Sequence, residues 1–355
     1  MEKMKSELQA PGKKLILSVL MPNYNCARYI AEAIESILNQ SRPPDEFIIC
    51  DDASTDNSVE IIEAYAQRHP VIKFIRNETN LGSLDTFNRM LDITTGDYLY
   101  AAPSDNYILP GFFEKATRLL TTYPETGLFA AFAYAINVKG RRIEIQYSPG
   151  MTSKTGFIPP EEMLAIMTQV GCGMLNGNTF IFKRLNMLEC GGFSKELHYY
   201  NDVLLGFVMI AKSGVCFIPE PFVCVRYRSE SLSAKYQLNS ELMREEAAKM
   251  MGILRRSYHD IIPAAILDAY GKNVYYDIYF QNIYSLRKST LTKYSQLNKS
   301  PVGRLFYFII NMFLYIKYAF VIIHYLYSNK LNIVTFIRNY ISNVLYEIKH
   351  KRLLR

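Results

Sequence analysis

The stretch SVLMPNYNCARYI, from Ser18 to Ile30, runs from an apolar strand through a polar turn into a helix. The stretch DDASTDNSVEII, from Asp51 to Ile62, repeats this order after a second apolar strand, with two adjacent carboxylates at the strand's end. A strand that ends in this way places acidic side chains at the carboxyl edge of a sheet. In open α/β folds that edge is where nucleotides bind. The two stretches therefore predict an α/β fold with a ligand site where its first strands end.

The same alternation of apolar runs and helical periodicity continues to about residue 123. It is typical of βαβ units and a mainly parallel sheet flanked by helices, a Rossmann-like arrangement. Asn25 and Asp56 are expected to cap the first two helices, and Pro110 suits the first turn of a later one. The expected strands of this part are 15–20, 46–50, 72–75 and 98–101.

The rest of the chain divides into a less regular middle and a helical end. A helix is expected over 202–212, because Gly214 follows a run with helical spacing. From about residue 238 helical patterns dominate. The sequence predicts an α/β domain over residues 1–235 and a helical region over 236–355. The strands expected in the middle are 128–134, 142–147, 178–182, 215–218 and 222–227.

Composition narrows the functional classes. The 355 residues are 49% apolar, enough for a sizeable core. The six cysteines form no Cys-x-x-Cys pair, which disfavours zinc and redox motifs. The N-terminus is polar and has no apolar signal core, so a reduced, cytoplasmic chain is the simplest interpretation.

Charge is concentrated at the C-terminal end. Residues 287–355 contain 12 lysines and arginines and one acidic residue, a balance of +11. Residues 1–286 contain 28 lysines and arginines and 32 acidic residues, a balance of −4. An acidic body with a basic tail predicts an anionic partner for the tail alone.

The apolar run over residues 305–327 suggests what that partner is. Lys317 and His324 interrupt the run on nearly the same helical face, which favours a helix lying on an anionic membrane surface. A packed soluble helix and a true membrane span remain alternatives. Nucleic acid is disfavoured, because the apolar runs are too long for a phosphate-tracking surface and the body would repel a polyanion.

The Pro22-x-Tyr24 turn and the Asp51-Asp52 pair follow neighbouring strands. A pyrimidine base needs a flat face to stack on and an acceptor for its ring N–H, and an aromatic ring beside a carboxylate offers both. The alternatives are that the carboxylates only cap a helix and that Tyr24 is an exposed loop residue. Without a Gly-rich phosphate loop after the first strand, a nucleotidyltransferase is disfavoured.

These stretches and three later ones resemble, in the same order, a family 2 glycosyltransferase with a GT-A fold. The later ones are GDYLYAAPSDNYILPGFF from Gly96, GGFSKELHYYNDVLLGFVMIAKSG from Gly191 and FVCVRYRSESLSAK from Phe222, and the resemblance covers residues 15–233. It implies a nucleotide-sugar donor whose base contacts Asp52 and stacks on Tyr24. The donor-binding positions that it implies are Pro22, Tyr24, Asp52, Gly82, Ser104, Asp105, Arg226 and Arg228.

The stretch after Gly96 is similar to the family's D-x-D segment. Asp105 takes the place of its last Asp, which usually meets the metal, and Pro103 takes the place of the first. The resemblance therefore implies a divalent cation, Mn or Mg, at Asp105, where it would neutralise the diphosphate. Ser104 could replace the ribose contact that Pro103 lacks, and a cap is the alternative for Asp105.

Two further departures from the family concern catalysis and phosphate binding. The family's Glu-Asp pair is Asn201-Asp202 here, and its Asp is the catalytic base of inverting members, so Asp202 is the candidate base; a helix cap is the alternative. Arg228 stands where the family often has His. A guanidinium has no lone pair for a metal, but it could contact the diphosphate directly.

We therefore interpret the chain as an inverting glycosyltransferase that moves a sugar, most simply from a UDP-sugar, to a hydroxyl of a glycan acceptor. Family members with basic, apolar tails commonly extend lipid-linked cell-surface polysaccharides on the cytoplasmic face of the inner membrane. The alternative is a catalytically weakened GT-A protein that acts as a nucleotide-sugar-binding or interaction module. GCGMLNG, residues 171–177, is interpreted as a loop beside the acceptor site.

Overall fold

The computed structural model describes residues 14–146, 154–170, 175–229, 231–237 and 239–272. Within these ranges no helix is long and apolar enough to cross a membrane. The basic tail over 287–355, with its apolar run over 305–327, lies outside them, so the interpretation of the tail stays a prediction.

Within the described residues, ten strands form one sheet. They are β1 (Leu17–Asn23), β2 (Glu46–Asp51), β3 (Ile72–Arg76), β4 (Tyr98–Ala101), β5 (Tyr107–Ile108), β6 (Leu128–Ile136), β7 (Arg142–Gln146), β8 (Gly156–Ile158), β9 (Ile181–Lys183) and β10 (Val215–Arg226). The helices are α1 (Ala27–Leu38), α2 (Ser58–Arg68), α3 (Ser83–Asp92), α4 (Phe112–Thr122), α5 (Pro160–Val170), α6 (Arg184–Glu189), α7 (Asn201–Ser213), α8 (Leu232–Gln237) and α9 (Ser240–Ser257). Residues 264–272 are also helical.

The strand order is β3-β2-β1-β4-β9-β6-β10-β5, with β7 paired to β6 and β8 to β10. The first four strands of this order are parallel, as the βαβ alternation predicts. β6 and β10 are also parallel, whereas the pairs made by β5, β7, β8 and β9 are antiparallel. The expected fold class, a mostly parallel α/β sheet flanked by helices, is confirmed.

Successive side chains of each strand point to opposite faces of the sheet, and helices bury both faces. Val19 belongs to a core cluster that includes side chains of α1, α2 and α4, whereas Leu20 belongs to a cluster that includes side chains of α3, α7 and α9. Both side chains are fully buried, as are Cys50, Cys216 and Cys224, which the sequence places in core strands. Helices therefore cover both faces of the sheet, and loops form its carboxyl edge.

Three local expectations are corrected. Asn25 does not cap α1: its backbone has φ 50°, and its side chain bonds the loop before α2 instead. Residues 178–182 divide into a 3-10 turn, Gly177–Thr179, and strand β9. The two strands expected over 215–227 are one strand, β10, because register shifts on either side of Pro221 let it continue.

The boundary predicted near residue 235 stays a prediction. Apolar side chains of α9, including Met250 and Leu254, are fully buried in the same core cluster as Leu20 and Phe207. The first part of the helical region thus packs directly on the α/β body.

Candidate active site

The ends of β1 and β2 lie side by side, with Asn23 opposite Asp51 in the register. The Asp51 carboxylate is fully buried and accepts hydrogen bonds from Asn23 Nδ2 (2.8 Å), Ser54 N (2.9 Å) and Ser54 Oγ (2.6 Å). It therefore ties the two loops together and is a structural group.

Asp52 holds a third loop. Its Oδ1 accepts from Asn77 Nδ2 at 2.7 Å and Leu81 N at 2.8 Å, and its Oδ2 accepts from Gly82 N at 2.9 Å. Gly82 has φ 85°, a backbone conformation that favours glycine and turns its N–H toward the carboxylate. Asp52 is 3% exposed. A base that contacts Asp52 would therefore enter a site whose shape is set by these three hydrogen bonds.

The loop after β1 presents Tyr24. Its neighbour Asn25 accepts, through Oδ1, the backbone N–H groups of Thr55 (2.8 Å) and Asp56 (3.3 Å). Asp56 in turn accepts from Ala27 N and Ser58 N, at the first residues of α1 and α2. The loop is therefore fixed at both sides while the Tyr24 ring stays 48% exposed, as a stacking platform requires.

Asp105 lies in the turn between β4 and β5 and forms an ion pair with Arg228, with Oδ2 to Nη2 at 2.7 Å. The two side chains are 15% and 16% exposed. The buried Cys26 thiol is near both groups: burial raises its pKa, a hydrogen bond with Ser104 opposes this, and the charges of Asp105 and Arg228 act on it in opposite senses. The ion pair thus borders the loop that carries Tyr24.

These residues do not fit the divalent cation that the resemblance implies. A hard cation takes several oxygen ligands, but Pro103 offers no carboxylate and Arg228 already neutralises Asp105. No group of three His, Cys, Asp or Glu side chains suited to a metal occurs in the described part of the chain.

Arg226 has a different environment from Arg228. Its guanidinium is 2% exposed and donates to Glu32 Oε2, Asp105 O and Asn137 O. Both guanidiniums lie over the ring of Tyr29, at 4.6 Å for Arg226 and 5.5 Å for Arg228. The protein therefore uses Arg226 to hold the end of β10 and the loop of Asp105 together.

Asp202 is in the first turn of α7, where the helix dipole favours a carboxylate. Its Oδ1 accepts from Val203 N at 2.8 Å. Burial outweighs these effects and raises the pKa of Asp202 to about 6. A Cβ placed on Gly177 would lie 1.7 Å from Asp202 Oδ2, so a larger residue at 177 would force the Asp202 side chain or the turn to shift.

The hydrogen bonds of Asn201 account for an amide at the position where the family has Glu. The side chain is buried, its Oδ1 accepts from Ser194 N (2.7 Å), and its Nδ2 donates to Ser194 O (3.0 Å) and Leu197 O (2.6 Å). A carboxylate has no hydrogen to donate to those carbonyls. Asn201 therefore fixes the loop that leads to Asp202.

A second residue supports the same loop from α9. Glu246 is 2% exposed, and its Oε2 accepts from His198 N (2.7 Å) and Tyr199 N (3.1 Å). Burial opposes the charge, but these hydrogen bonds and Lys249 prevail and lower the pKa of Glu246. Sequence reasoning missed Glu246, because its partners lie almost 50 residues away.

Side-chain amides connect the Asp105 region to the Asp202 region. Asn106 Nδ2 donates to Asn178 Oδ1 at 3.1 Å, and Asn106 Oδ1 accepts from Arg226 N. Asn178 follows Gly177, which contacts Asp202. The candidate base and the ion pair thus lie along one edge, on opposite sides of this amide link. GCGMLNG is expected from the sequence to form a loop beside the acceptor site, but the contact of its last glycine, Gly177, with Asp202 did not follow from the sequence. Residues 171–174 of that stretch lie outside the described part of the chain.

Part of the chain matches a known family. Residues 18–184 match the family described as Glycosyl transferase family 2. The putative glycosyltransferase EpsE of Bacillus subtilis is 39% identical over 131 residues, which is 36% of this chain and 47% of that protein. The chain thus spans about half the length of this relative.

Solved structures share the fold at low sequence identity. TarS of S. aureus, residues 1–349 in complex with UDP, aligns with a TM-score of 0.53 at 20% identity, over 72% of this chain and 70% of that one. The mannosyltransferase PcManGT of Pyrobaculum calidifontis, in complex with GDP-Man and Mn2+, aligns with a TM-score of 0.53 at 17% identity, over 87% and 90%.

Proposed function

Residues 18–184 make this chain a member of glycosyl transferase family 2, and we propose that it transfers a sugar from a nucleoside diphosphate sugar to a hydroxyl acceptor with inversion. The proposal rests on the Asp202 carboxylate, which is half-buried beside Gly177 and whose pKa is raised by desolvation to about 6. Such a group is partly deprotonated near neutral pH and basic enough to take a proton.

The nucleoside occupies the edge formed by Tyr24, Asp52 and Gly82. The exposed Tyr24 ring gives the base a face for stacking, and the turn held by Asp52 bounds the base on its other side. Pro22 lies near the end of β1, where this loop begins, and Ser104, whose side chain contacts Cys26, is proposed to meet the ribose. UDP is the proposed carrier, since a fold neighbour was solved with UDP.

Arg226 enters the proposal as a positioning residue and not as the donor contact that the resemblance implies. Its guanidinium is committed to Glu32, Asp105 and Asn137. By fixing the Asp105 backbone, it determines where the diphosphate can lie.

In the transfer step Asp202 accepts the proton of the acceptor hydroxyl while that oxygen attacks the anomeric carbon. The bond from the anomeric carbon to the diphosphate oxygen breaks, and the nucleoside diphosphate leaves with the bonding electrons. Attack from the face opposite the leaving group inverts the anomeric centre. The proposed step proceeds without a cation, because Asp105 is paired with Arg228 and Pro103 offers no carboxylate.

The acceptor is proposed to be a glycan, linked to a lipid in cell-surface polysaccharide synthesis. This rests on the charge difference between the +11 tail and the −4 body, which suits a body held peripherally at an anionic membrane from the cytoplasmic side. Full-length protein that ignores anionic vesicles at low salt would refute the membrane part alone.

A screen of nucleotide sugars tests the central proposal. Purified protein is incubated with UDP- and GDP-sugars and mixed glycan acceptors, and released nucleoside diphosphate is measured beside Asp202→Asn. The proposal is supported if the parent protein releases nucleoside diphosphate and Asp202→Asn does not. Binding of nucleotide sugar without turnover of any donor would favour a catalytically weakened binding module.

A further inference from the structure

We propose that Arg228 takes the place of a divalent cation in this chain, so that the diphosphate of the donor binds through a guanidinium and without metal. The inference rests on the proposed function and deepens it, since it concerns how the same site neutralises its ligand. The inference differs from the resemblance, which implies a metal, and from the fold neighbour PcManGT, which was solved with Mn2+.

The position of Arg228 is the first argument. The nucleoside is bounded by Tyr24 and Asp52 at one end of the edge, and Asp202 lies at the other. Asp105 and Arg228 lie between them: the pair borders Cys26, two residues after Tyr24, and joins the Asp202 side through the amides of Asn106 and Asn178. A diphosphate that connects base to sugar must cross this middle part.

The second argument is the chemistry of the pair. A carboxylate that served as a metal ligand would be open to the cation, but Asp105 Oδ2 is 2.7 Å from Arg228 Nη2. A guanidinium presents five N–H donors in a planar fork that matches phosphate oxygens, and it cannot coordinate a cation. Asp105 thus orients Arg228, in the way that a carboxylate orients any ligand-binding guanidinium.

The third argument is the support behind the pair. The Arg228 guanidinium lies 5.5 Å from the centre of the Tyr29 ring, and the Arg226 guanidinium lies 4.6 Å from the same ring. Glu32 pairs with Arg226, and Asp105 pairs with Arg228. Each cation therefore has its own anion, and the repulsion between two neighbouring guanidiniums is offset before any ligand arrives. Such a site is organised in advance to accept an anion.

The contrast with Arg226 identifies which guanidinium meets the ligand. Arg226 is 2% exposed and is held by backbone carbonyls, whereas the side chain of Arg228 retains 16% exposure. Only Arg228 of the two has surface left for a diphosphate.

Equilibrium binding of UDP, with and without chelator, tests the inference on full-length protein. The parent should bind UDP with the same affinity in EDTA as in Mn2+. Arg228→Gln should bind UDP about 10- to 100-fold more weakly, since a charge-assisted contact is lost, while its affinity for uridine, which has no phosphate, stays unchanged. Arg255→Gln is the matched control, because Arg255 has the same 2.7 Å ion pair with Asp268, away from the site.

Asp105→Asn separates the two roles of that carboxylate. If Asp105 only orients Arg228, the variant should weaken UDP binding less than Arg228→Gln does, and by the same factor in EDTA as in Mn2+, because the Asn oxygen can still accept a hydrogen bond from the guanidinium. If Asp105 holds a metal, the variant should lose the response to Mn2+ together with most of its affinity. Arg228→His gives a complementary result: an imidazole beside Asp105 can ligate a metal, so this variant should require Mn2+ for tight binding.

If the affinity of the parent protein for UDP falls about tenfold or more in EDTA and returns with Mn2+, the inference is wrong. The proposed function would still stand. Equal affinity of the parent and Arg228→Gln for UDP would overturn the inference as well. Failure of the parent to bind UDP or GDP under any condition would refute the donor site itself, and the inference with it.

Discussion

Asp52 and Asp202 lie along the same sheet edge and differ in almost every other respect. Asp52 accepts three hydrogen bonds, from Asn77, Leu81 and Gly82, at 2.7 to 2.9 Å. Asp202 accepts hydrogen bonds from backbone N–H groups of its own helix only, lies against Gly177, and has its pKa raised by desolvation to about 6. The Asp52 carboxylate is held by three groups from another loop, whereas the half-buried Asp202 carboxylate has its charged form disfavoured.

The difference shows how one residue type serves two purposes at a single site. Hydrogen bonds to an ionised carboxylate stabilise the charge, so Asp52 strengthens the fold while it shapes the nucleoside site. Burial without such bonds disfavours the charge, so Asp202 weakens the fold while it gains basicity. The predictions below remove one side of this contrast at a time.

The largest expected effect is on the transfer rate of Asp202→Asn. The variant should lose about 100- to 10,000-fold in rate, the typical contribution of a positioned general base, with UDP affinity unchanged. Single-turnover transfer and equilibrium binding measure the two quantities, and Asp260→Asn, at an exposed site, is the control. Transfer at the parental rate would mean that Asp202 only caps α7.

Gly177→Ala should disturb Asp202 without touching its chemistry. The added Cβ would lie 1.7 Å from Oδ2, so the carboxylate or the turn has to move. A displacement of about 1 Å at a reacting group can lower a rate about 100-fold, and UDP affinity should remain. Gly271→Ala is the control, because its added Cβ would meet only Met251, at 3.6 Å. A fully active Gly177→Ala would show that the contact is not needed.

The pH dependence of transfer is the third effect. Asp202 acts as a base only when deprotonated, so the rate should fall roughly tenfold for each pH unit below its pKa and level off above it. With the pKa raised from 3.8 to about 6, the inflection should lie near pH 6. Gly177→Ala should shift the inflection downward, since a displaced carboxylate gains water. An inflection near pH 4 would show that Asp202 is well solvated during turnover.

Much of this contrast could not have been predicted from the sequence. The strand over 46–50 and the helix over 202–212 followed from periodicity and capping, and they placed Asp52 and Asp202 at element ends. The partners of these residues did not follow, because Gly177 and Glu246 reach the Asp202 region only after the sheet has folded. Similarly, the sequence predicted two strands, 215–218 and 222–227, where the structure has one strand that continues through register shifts around Pro221.

The ion pairs of the site could not be predicted from the sequence either. Arg226 pairs with Glu32 across 194 residues, and Arg228 pairs with Asp105 across 123. The resemblance marked Arg226 and Arg228 alike as donor contacts. Burial separates them, and burial depends on the β6–β7 loop, whose Asn137 carbonyl covers Arg226.

Tyr24→Ala should weaken UDP binding about tenfold, within the range of an aromatic stacking contact with a base. The ring is 48% exposed, so its removal should leave the melting temperature unchanged. Tyr24→Phe keeps the stacking face and should bind UDP like the parent. If both variants lose the same affinity, the hydroxyl and not the ring face makes the contact.

The smallest effects are on stability, and they should have opposite signs at the two carboxylates. Asp52→Asn removes acceptor capacity from three donors, one of them a buried amide, and should lower the melting temperature by about 2–4 °C for each kcal/mol lost.

Asp202→Asn should do the reverse above pH 6. The folded-state pKa of Asp202 exceeds its unfolded value, so the charged form weakens the fold above about pH 6, and this penalty is absent below pH 3.8. An uncharged amide removes the penalty, as expected where a site trades stability for activity. Thermal melts at pH 8 and pH 4.5 should show the gain for Asp202→Asn mainly at pH 8. A loss of stability at pH 8, matching that of Asp52→Asn, would mean that the two carboxylates are equally well satisfied.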